Sequence, residues 1–242
     1  MSLSMLRFLL LQVRNANDAM KCQEVGCFAS ALDCDVDAIV TSDLLAQRPT
    51  PAQLASCDVV LLGGSGDYSV ATGGEWLESA LDVMRSLHES AKPTFASCWG
   101  FQAMARAMGG HVVTDLQRAE LGTISLKLTT YGSEDAIFGR LPSEFRGHAG
   151  HQDIVESLPE DAVRLAASHQ VENQAFTFRD RPIYCTQFHP ELQRVTFLQR
   201  LEQYPEYVER ILHISAEEFV ERVGETPEAN QLLRRFVKVV FD

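Results

Sequence analysis

Positive charge is scarce in this sequence: 21 Lys and Arg stand against 33 Asp and Glu, a formal net charge of −12. Gripping a polyanion requires a basic footprint, so this balance argues against a nucleic-acid partner and against an anionic membrane surface. Long hydrophobic runs are missing as well. Leu6–Val13 superficially resembles a short export signal, with Arg7 near its start, but it lacks a cleavage site and is too short to span a bilayer. A buried first strand is the expected reading. Six cysteines (22, 27, 34, 57, 98 and 185) form no Cys-x-x-Cys pair and no zinc-like cluster. Reduced thiols in a cytoplasmic setting are therefore expected, with no metal and no cofactor. Internal repeats, low-complexity tracts and long linkers are also absent. A length of 242 residues then suggests a single domain, with a core over about 6–191 and a helical C-terminal extension over 192–242. Met1–Met5 reads as a dispensable leader.

What is present is an alternation of apolar strands and amphipathic helices. Leu6–Val13 is a continuous apolar run of the kind found in a central parallel strand covered on both faces. Asn17 is placed to cap a helix reaching about Leu32, and Val36–Thr41 follows as a second strand. Ala52–Ala55 reads as one helical turn. Asp58–Leu62 is a third buried strand, ending in the glycine-rich loop Gly63–Val70, and Glu75–Ser90 is a helix. This spacing predicts an α/β fold: a doubly wound, mostly parallel sheet with helices on both faces. Loops that follow such strands gather at one end of the sheet. After Gly110 the texture changes to short alternating segments at Gly122–Leu128, Gly147–Ile154, Val163–Ser168, Gln174–Phe178 and Ile183–Gln187, which predict a small antiparallel portion. Arg179–Pro182 reads as a hairpin turn between the last two. From Leu192 onward the pattern is helical, with breaks near Pro205, His213–Ser215 and Gly224–Pro227.

The stretch Pro93–Ala105 carries the first chemical signal. A strand-like run enters Cys98, Gly100 follows two positions later, and an amphipathic helix continues to Gly109-Gly110. A nucleophile on such a strand-to-helix turn stands clear of the backbone and faces the unpaired N–H groups of the first helical turn. Those groups, with the helix dipole, favour a thiolate and a developing oxyanion. A buried structural cysteine is the competing reading. The balance is tipped by Gln187-Phe188-His189-Pro190-Glu191, far downstream. His189 and Glu191 are two apart, so on extended backbone they share a side, and the carboxylate can orient the imidazole toward a thiol.

Together Phe95–Ala105, Gln187–Glu191 and the Gly63-Gly64 loop resemble the class I (triad) glutamine amidotransferases, in order and spacing, from about Leu6 to Glu191. Gly150-His151-Gln152-Asp153 ahead of Leu158-Pro159 adds a smaller echo. The resemblance implies a class I glutamine amidotransferase-like, flavodoxin-like fold. It further implies that Cys98 attacks the side-chain amide carbon of glutamine, that His189 shuttles the proton and that Glu191 orients His189. By the same resemblance, backbone N–H groups of Trp99 and of the Gly63-Gly64 loop, Gly64 above all, would hold the oxyanion. Gln102 would bind the glutamine side, and Ser168, His169 and Gln170 would present backbone to its α-carboxylate. Gly66-Asp67-Tyr68 departs from the proline-containing loop of the GMP synthase type. Asp67 and Tyr68 either contact a group beside the thiol or shape the loop.

No synthetase domain fits into 192–242, which shows no phosphate-binding loop. Three readings follow. The chain is a glutaminase serving an acceptor or synthetase protein in trans, a stand-alone γ-glutamyl hydrolase or peptidase, or a non-catalytic binding module. In every case the expected partner is a small molecule, glutamine or a γ-glutamyl compound. The apolar periodicity of the extension predicts packing over the sheet.

Overall fold

The computed structural model describes residues 6–204 and 216–242. The leader at 1–5 and the expected breaks at Pro205 and His213–Ser215 lie outside those residues. In chain order the elements are β1 (Phe8–Gln12), α1 (Met20–Leu32), β2 (Ile39–Asp43), α2 (Pro51–Ser56), β3 (Val59–Leu62), α3 (Glu75–Glu89), β4 (Thr94–Ser97) and α4 (Trp99–Ala107). There follow β5 (His111–Thr114), β6 (Glu120–Leu128), α5 (Thr130–Glu134), β7 (Glu144–His151), β8 (Asp153–Ser157), β9 (Ala162–Ser168), β10 (Ala175–Phe178) and β11 (Ile183–Thr186). The C-terminal extension holds α6 (Arg194–Gln203), α7 (Ala216–Arg222) and α8 (Leu232–Phe241).

One nine-stranded sheet runs β2-β1-β3-β4-β11-β10-β9-β6-β7. Its first five strands are mutually parallel, and from β11 onward every pairing is antiparallel. The fold is thus α/β and doubly wound, with the antiparallel strands continuing the parallel ones and a separate two-stranded antiparallel sheet, β5-β8. The β1 pattern shows why the parallel half is central. All five residues are buried. Leu9 and Leu11 enter the core under α3 and α4, with Val60, Leu62, Met84 and Phe101. Phe8 and Leu10 enter the opposite core under α1 and α8, with Phe28, Leu61, Phe95 and Phe236. Each such side chain contributes roughly 1.5–3 kcal/mol on full burial, which fixes strand register face by face.

The structure corrects several boundaries. Asn17 does not cap α1; the N-cap is Ala19, and the Asp18 carboxylate accepts from Met20 N–H (2.8 Å) instead. The segment expected as one strand over Gly147–Ile154 divides at Gln152 into β7 and β8, which belong to different sheets. Strand β5 had no alternating signal long enough to announce it. In the other direction, α2 is a full short helix because Thr50 and Gln53 form a reciprocal capping box with Pro51 in the first turn. The hairpin at Arg179–Pro182 joins β10 to β11, with Asp180 at φ 56°.

Candidate active site

The site forms where β3, β4 and β11 end. Cys98 sits between β4 and α4 with φ 50° and ψ −101°, a conformation that costs a non-glycine residue on the order of 1–3 kcal/mol. Neighbours hold it there: Cys98 N–H donates to Thr186 O on β11 (2.8 Å), and Gly100 N–H donates to Gly63 O beyond β3 (3.2 Å). Gly100 must be glycine for this approach, since a Cβ would stand 2.5 Å from Leu62 Cβ and 3.2 Å from Ala96 Cβ. The strain therefore buys a thiol lifted off the sheet and set against the N-terminus of α4. Trp99 N–H, at the first position of that helix, has no intrahelical acceptor.

His189 and Glu191 follow β11. His189 N–H donates to His148 O on β7 (2.8 Å), and His189 Nδ1 is 2.7 Å from Glu191 Oε1, both side chains being buried. Burial alone would lower the imidazole pKa, but Glu191 and the adjacent Cys98 thiol outweigh it and push the pKa up to about 9. Burial likewise opposes ionisation of Glu191, yet His189 and Arg200 hold its pKa below the usual carboxylate value. Gly64 fits closely beside this pair: a Cβ there would meet His189 Cε1 at 2.9 Å and Cys98 Cβ at 3.7 Å. Gly63 turns the other way, where a Cβ would collide with the Glu24 carboxylate. Glu24 is itself locked by Arg14 (3.1 Å) and Gln12 (3.0 Å).

Two lobes open from Cys98, sharing Ser65, Gly66 and Gly150 in their walls. One is lined by Trp99, Gln102, Tyr68, His151 and Asp153. Gln102 donates to Asp153 O (2.9 Å) and Gln187 Oε1 (3.2 Å), and Asp153 in turn accepts from Ser69 (2.6 Å) and Thr114 (2.6 Å). Tyr68 donates to Asn15 (2.6 Å), which also donates to Asp67 (2.7 Å), so both loop residues are tied into the scaffold. The other lobe holds His189 and is walled by Gly64, Leu121, Phe197, Arg200, Leu201, Arg14 and Tyr204.

Of the residues singled out from sequence, Cys98, His189, Glu191, Gly64, Trp99 and Gln102 therefore come together, with Gly63 supporting the loop. Ser168, His169 and Gln170 do not line either lobe. Ser168 ends β9 and bonds locally with Val171 (2.9 Å), while His169 and Gln170 are exposed. The backbone stretch beside the thiol is Gly150–Asp153, which the sequence marks only by the smaller echo.

Residues without a signal of their own in the sequence complete the site. Helix α6 turns Phe197, Arg200 and Leu201 toward it, at i, i+3 and i+4, and Tyr204, which caps the helix, joins them. Phe197 stacks on His148 (4.6 Å, 11° between planes), Arg200 Nη1 is 3.7 Å from Glu191 Oε1, and the Tyr204 hydroxyl bonds Asp18 (2.7 Å) and Arg14 (2.9 Å). Packing of the extension is real, with Phe197, Phe219 and Val223 gathered on Leu121 and Leu192. The same packing makes α6 a wall of the site. His148 is fully buried, and burial together with nearby His189 pushes its pKa down to about 4. The i+3/i+4 spacing on α6 was visible in the sequence; what it faces was not.

Among the described residues no helix is long and apolar enough to cross a membrane, and no cluster of metal-binding side chains occurs. All six cysteines are free thiols.

Residues 29–201 match the family model for glutamine amidotransferase class-I. Among curated proteins the chain is 30% identical over 182 residues to gamma-glutamyl peptidase 4 of Arabidopsis thaliana, covering 73% of this chain and 68% of that protein. It is 31% identical over 128 residues to a subunit of the glutamine-hydrolyzing GMP synthase of Methanocaldococcus jannaschii, covering 53% of this chain and 66% of that protein. With the corresponding subunit of Thermoplasma acidophilum it shares 33% over 139 residues, covering 57% and 65%. The chain thus spans about two thirds of the length of these relatives. Among solved structures, a glutamine amidotransferase from Thermotoga maritima superposes with a TM-score of 0.76 at 21% identity, covering 97% of each chain. A glutamine amidotransferase from Methylobacillus flagellatus gives 0.71 at 20% identity, covering 97% of this chain and 95% of that one. At such identities the likeness is one of fold.

Proposed function

This chain belongs to the glutamine amidotransferase class-I family, and from that premise we propose that it hydrolyses the side-chain amide of glutamine through a Cys98 γ-glutamyl thioester. The observation that carries the reading is the buried His189–Glu191 pair, 2.7 Å apart, beside a cysteine held at positive φ on a helix N-terminus. In the first step Cys98 Sγ attacks the amide carbon and its proton passes to His189 Nε2. The carbonyl oxygen takes the negative charge against the backbone N–H groups of Trp99 and Gly64. His189 then protonates the leaving nitrogen, the C–N bond breaks and ammonia departs. Water attacks the thioester, gives a proton to His189, and glutamate leaves as the thiol is restored. Glu191 keeps Nδ1 protonated throughout, so that Nε2 faces the reaction. Gln102, Trp99 and the Gly150–Asp153 backbone surround the glutamyl portion.

By analogy with the relatives that are GMP synthase subunits, ammonia is passed to an acceptor enzyme in trans. The likeness to a gamma-glutamyl peptidase supports a second reading, in which the leaving group is an amine larger than ammonia. Glutamate release from glutamine and from γ-glutamyl dipeptides, measured with the wild type and with Cys98→Ser, tests the common chemistry. Release should fall at least about 10³-fold in the variant, as for loss of a triad nucleophile. Release that is indifferent to Cys98 would refute the thioester, and no release from any of these substrates would leave a binding module.

A further inference from the structure

Two lobes meet at Cys98, and they differ in what lines them. His189 lines one; Trp99 and Gln102 line the other. In acyl transfer the group that protonates the departing nitrogen stands on the leaving-group side. The leaving group therefore belongs in the lobe of His189, and the glutamyl portion in the lobe of Trp99 and Gln102.

Two arginines line the His189 lobe, Arg14 and Arg200. Every guanidinium nitrogen of Arg14 is in use: Nε and Nη2 donate to Glu24 (3.3 and 3.1 Å), and Nη1 donates to Asp18 (3.1 Å) and Tyr204 (2.9 Å). Arg200 is different. It is also buried, at 7% exposure, and its Nε donates to Gln23 Oε1 (3.2 Å), but Nη1 and Nη2 are buried with no hydrogen-bond partner among the described residues. Its ion-pair partner, Glu191 Oε1, stands 3.7 Å from Nη1, beyond hydrogen-bonding distance, and is already engaged by His189 Nδ1 (2.7 Å). Once His189 carries the thiol proton, Glu191 is shared between two cations. A buried guanidinium with an empty fork calls for an anion that can accept both N–H groups. The acceptor that a leaving group can bring is a carboxylate, and an α-amino acid carries one a single carbon from the nitrogen that departs. Ammonia brings none. Through Glu191 Oε1 the guanidinium is two contacts from the imidazole, so one residue-sized leaving group can reach both.

We propose that Arg200 is a specificity-determining residue whose Nη1 and Nη2 hold the α-carboxylate of the leaving group, so that the preferred substrates are γ-glutamyl amides of α-amino acids rather than glutamine. This rests on the thioester reading above and deepens it by naming the substrate class and the side chain that selects it. The chemistry is unchanged: the thioester forms as the amide C–N bond breaks, His189 gives its proton to the departing nitrogen, and the amino acid leaves with its carboxylate still ionised.

The experiment compares kcat/KM for γ-glutamyl-glycine, γ-glutamyl-glycinamide and L-glutamine with the full chain and with Arg200→Gln and Arg200→Lys. The first two substrates have the same shape and differ in the charge of one terminal group. Wild type should favour γ-glutamyl-glycine over its amide by roughly 10–100-fold, the range expected when a charged hydrogen-bonding partner is lost, and over glutamine by at least about tenfold. Arg200→Gln should bring the glycine-to-glycinamide ratio to about one. Arg200→Lys, which keeps the charge but not the fork, should retain a preference of a few-fold. Equal wild-type kcat/KM for γ-glutamyl-glycine and its amide overturns the carboxylate site. So does an Arg200→Gln variant that lowers all three substrates by one factor, which would confine the guanidinium to supporting Glu191. In both cases Cys98-dependent glutamate release leaves the thioester standing. No release from any of the three substrates overturns both. If Arg200→Gln does not fold, the wild-type ratio and Arg200→Lys still decide the matter.

Discussion

Replacing Glu191 by Gln keeps the shape of the site and removes one buried charge. Its oxygen lies 2.7 Å from His189 Nδ1, and both side chains are shielded from solvent. Burial works against a protonated His189; Glu191, and after it Cys98, raise the pKa from 6.5 to about 9. That gap corresponds to roughly 3 kcal/mol. Without the carboxylate the largest raising contribution is lost while the burial penalty stays, and His189 should titrate well below its wild-type value. The glutamine amide can also present the wrong hydrogen-bonding group to Nδ1 and select the unproductive tautomer. We expect kcat/KM to fall on the order of 10²–10⁴-fold. Stability responds as well. Arg200 Nη1, 3.7 Å from Glu191 Oε1, loses its counter-charge in a buried setting, which costs about 3–5 kcal/mol for a fully buried pair. The pH dependence adds a signature. A histidine whose folded pKa is raised contributes stability that is complete below its unfolded pKa of 6.5 and is lost as pH rises through about 9. Wild-type unfolding free energy from urea melts should therefore carry a falling component between those limits, and Glu191→Gln should lack it. A variant with wild-type kcat/KM and the same pH slope would refute the electrostatic account.

Gly64→Ala puts a Cβ 2.9 Å from His189 Cε1; a displaced imidazole should lower kcat about 10–100-fold, with little change in melting temperature, and kinetics beside a thermal melt would show it. His148→Phe keeps the stack on Phe197 but removes a group whose pKa is depressed to about 4. In the wild type the unfolded state binds this proton between about pH 6.5 and 4 and the folded state does not, so stability falls as pH drops through that window, by roughly 3 kcal/mol at most. Urea melts of the Phe variant across that window should lose this slope; an unchanged slope would place the titrating group elsewhere.

How much was legible in advance depended on the range of the interactions. The central strands were readable because burial on both faces writes itself into a strand as an uninterrupted apolar run, as in Leu9–Leu11 and Val59–Leu62. The Cys98 turn was readable because strand, nucleophile, glycine and helix are contiguous, and the glycine that lets α4 meet Leu62 is two residues from the thiol. His189 and Glu191 were readable as a pair because a spacing of two on extended backbone fixes a shared side. Even α2 could have been placed better, since Thr50-Pro51 and Gln53 form a local cap.

Other features depend on contacts between segments far apart in the chain, and local periodicity records that a face is buried without recording what buries it. The sequence by itself determined the parallel half of the sheet, the cysteine on its strand-to-helix turn and the histidine–glutamate spacing. Only the tertiary structure decided that α6 stands over the thiol, that His148 backs His189 through a backbone hydrogen bond, and that Arg14 and Glu24 brace the Gly63 loop. It also set Gly150–Asp153 beside Cys98, because the course of β7 into β8 delivers that stretch there, while the end of β9 with Ser168–Gln170 lines neither lobe. Short-range sterics set the first group. The second follows from which surfaces meet when the whole chain packs.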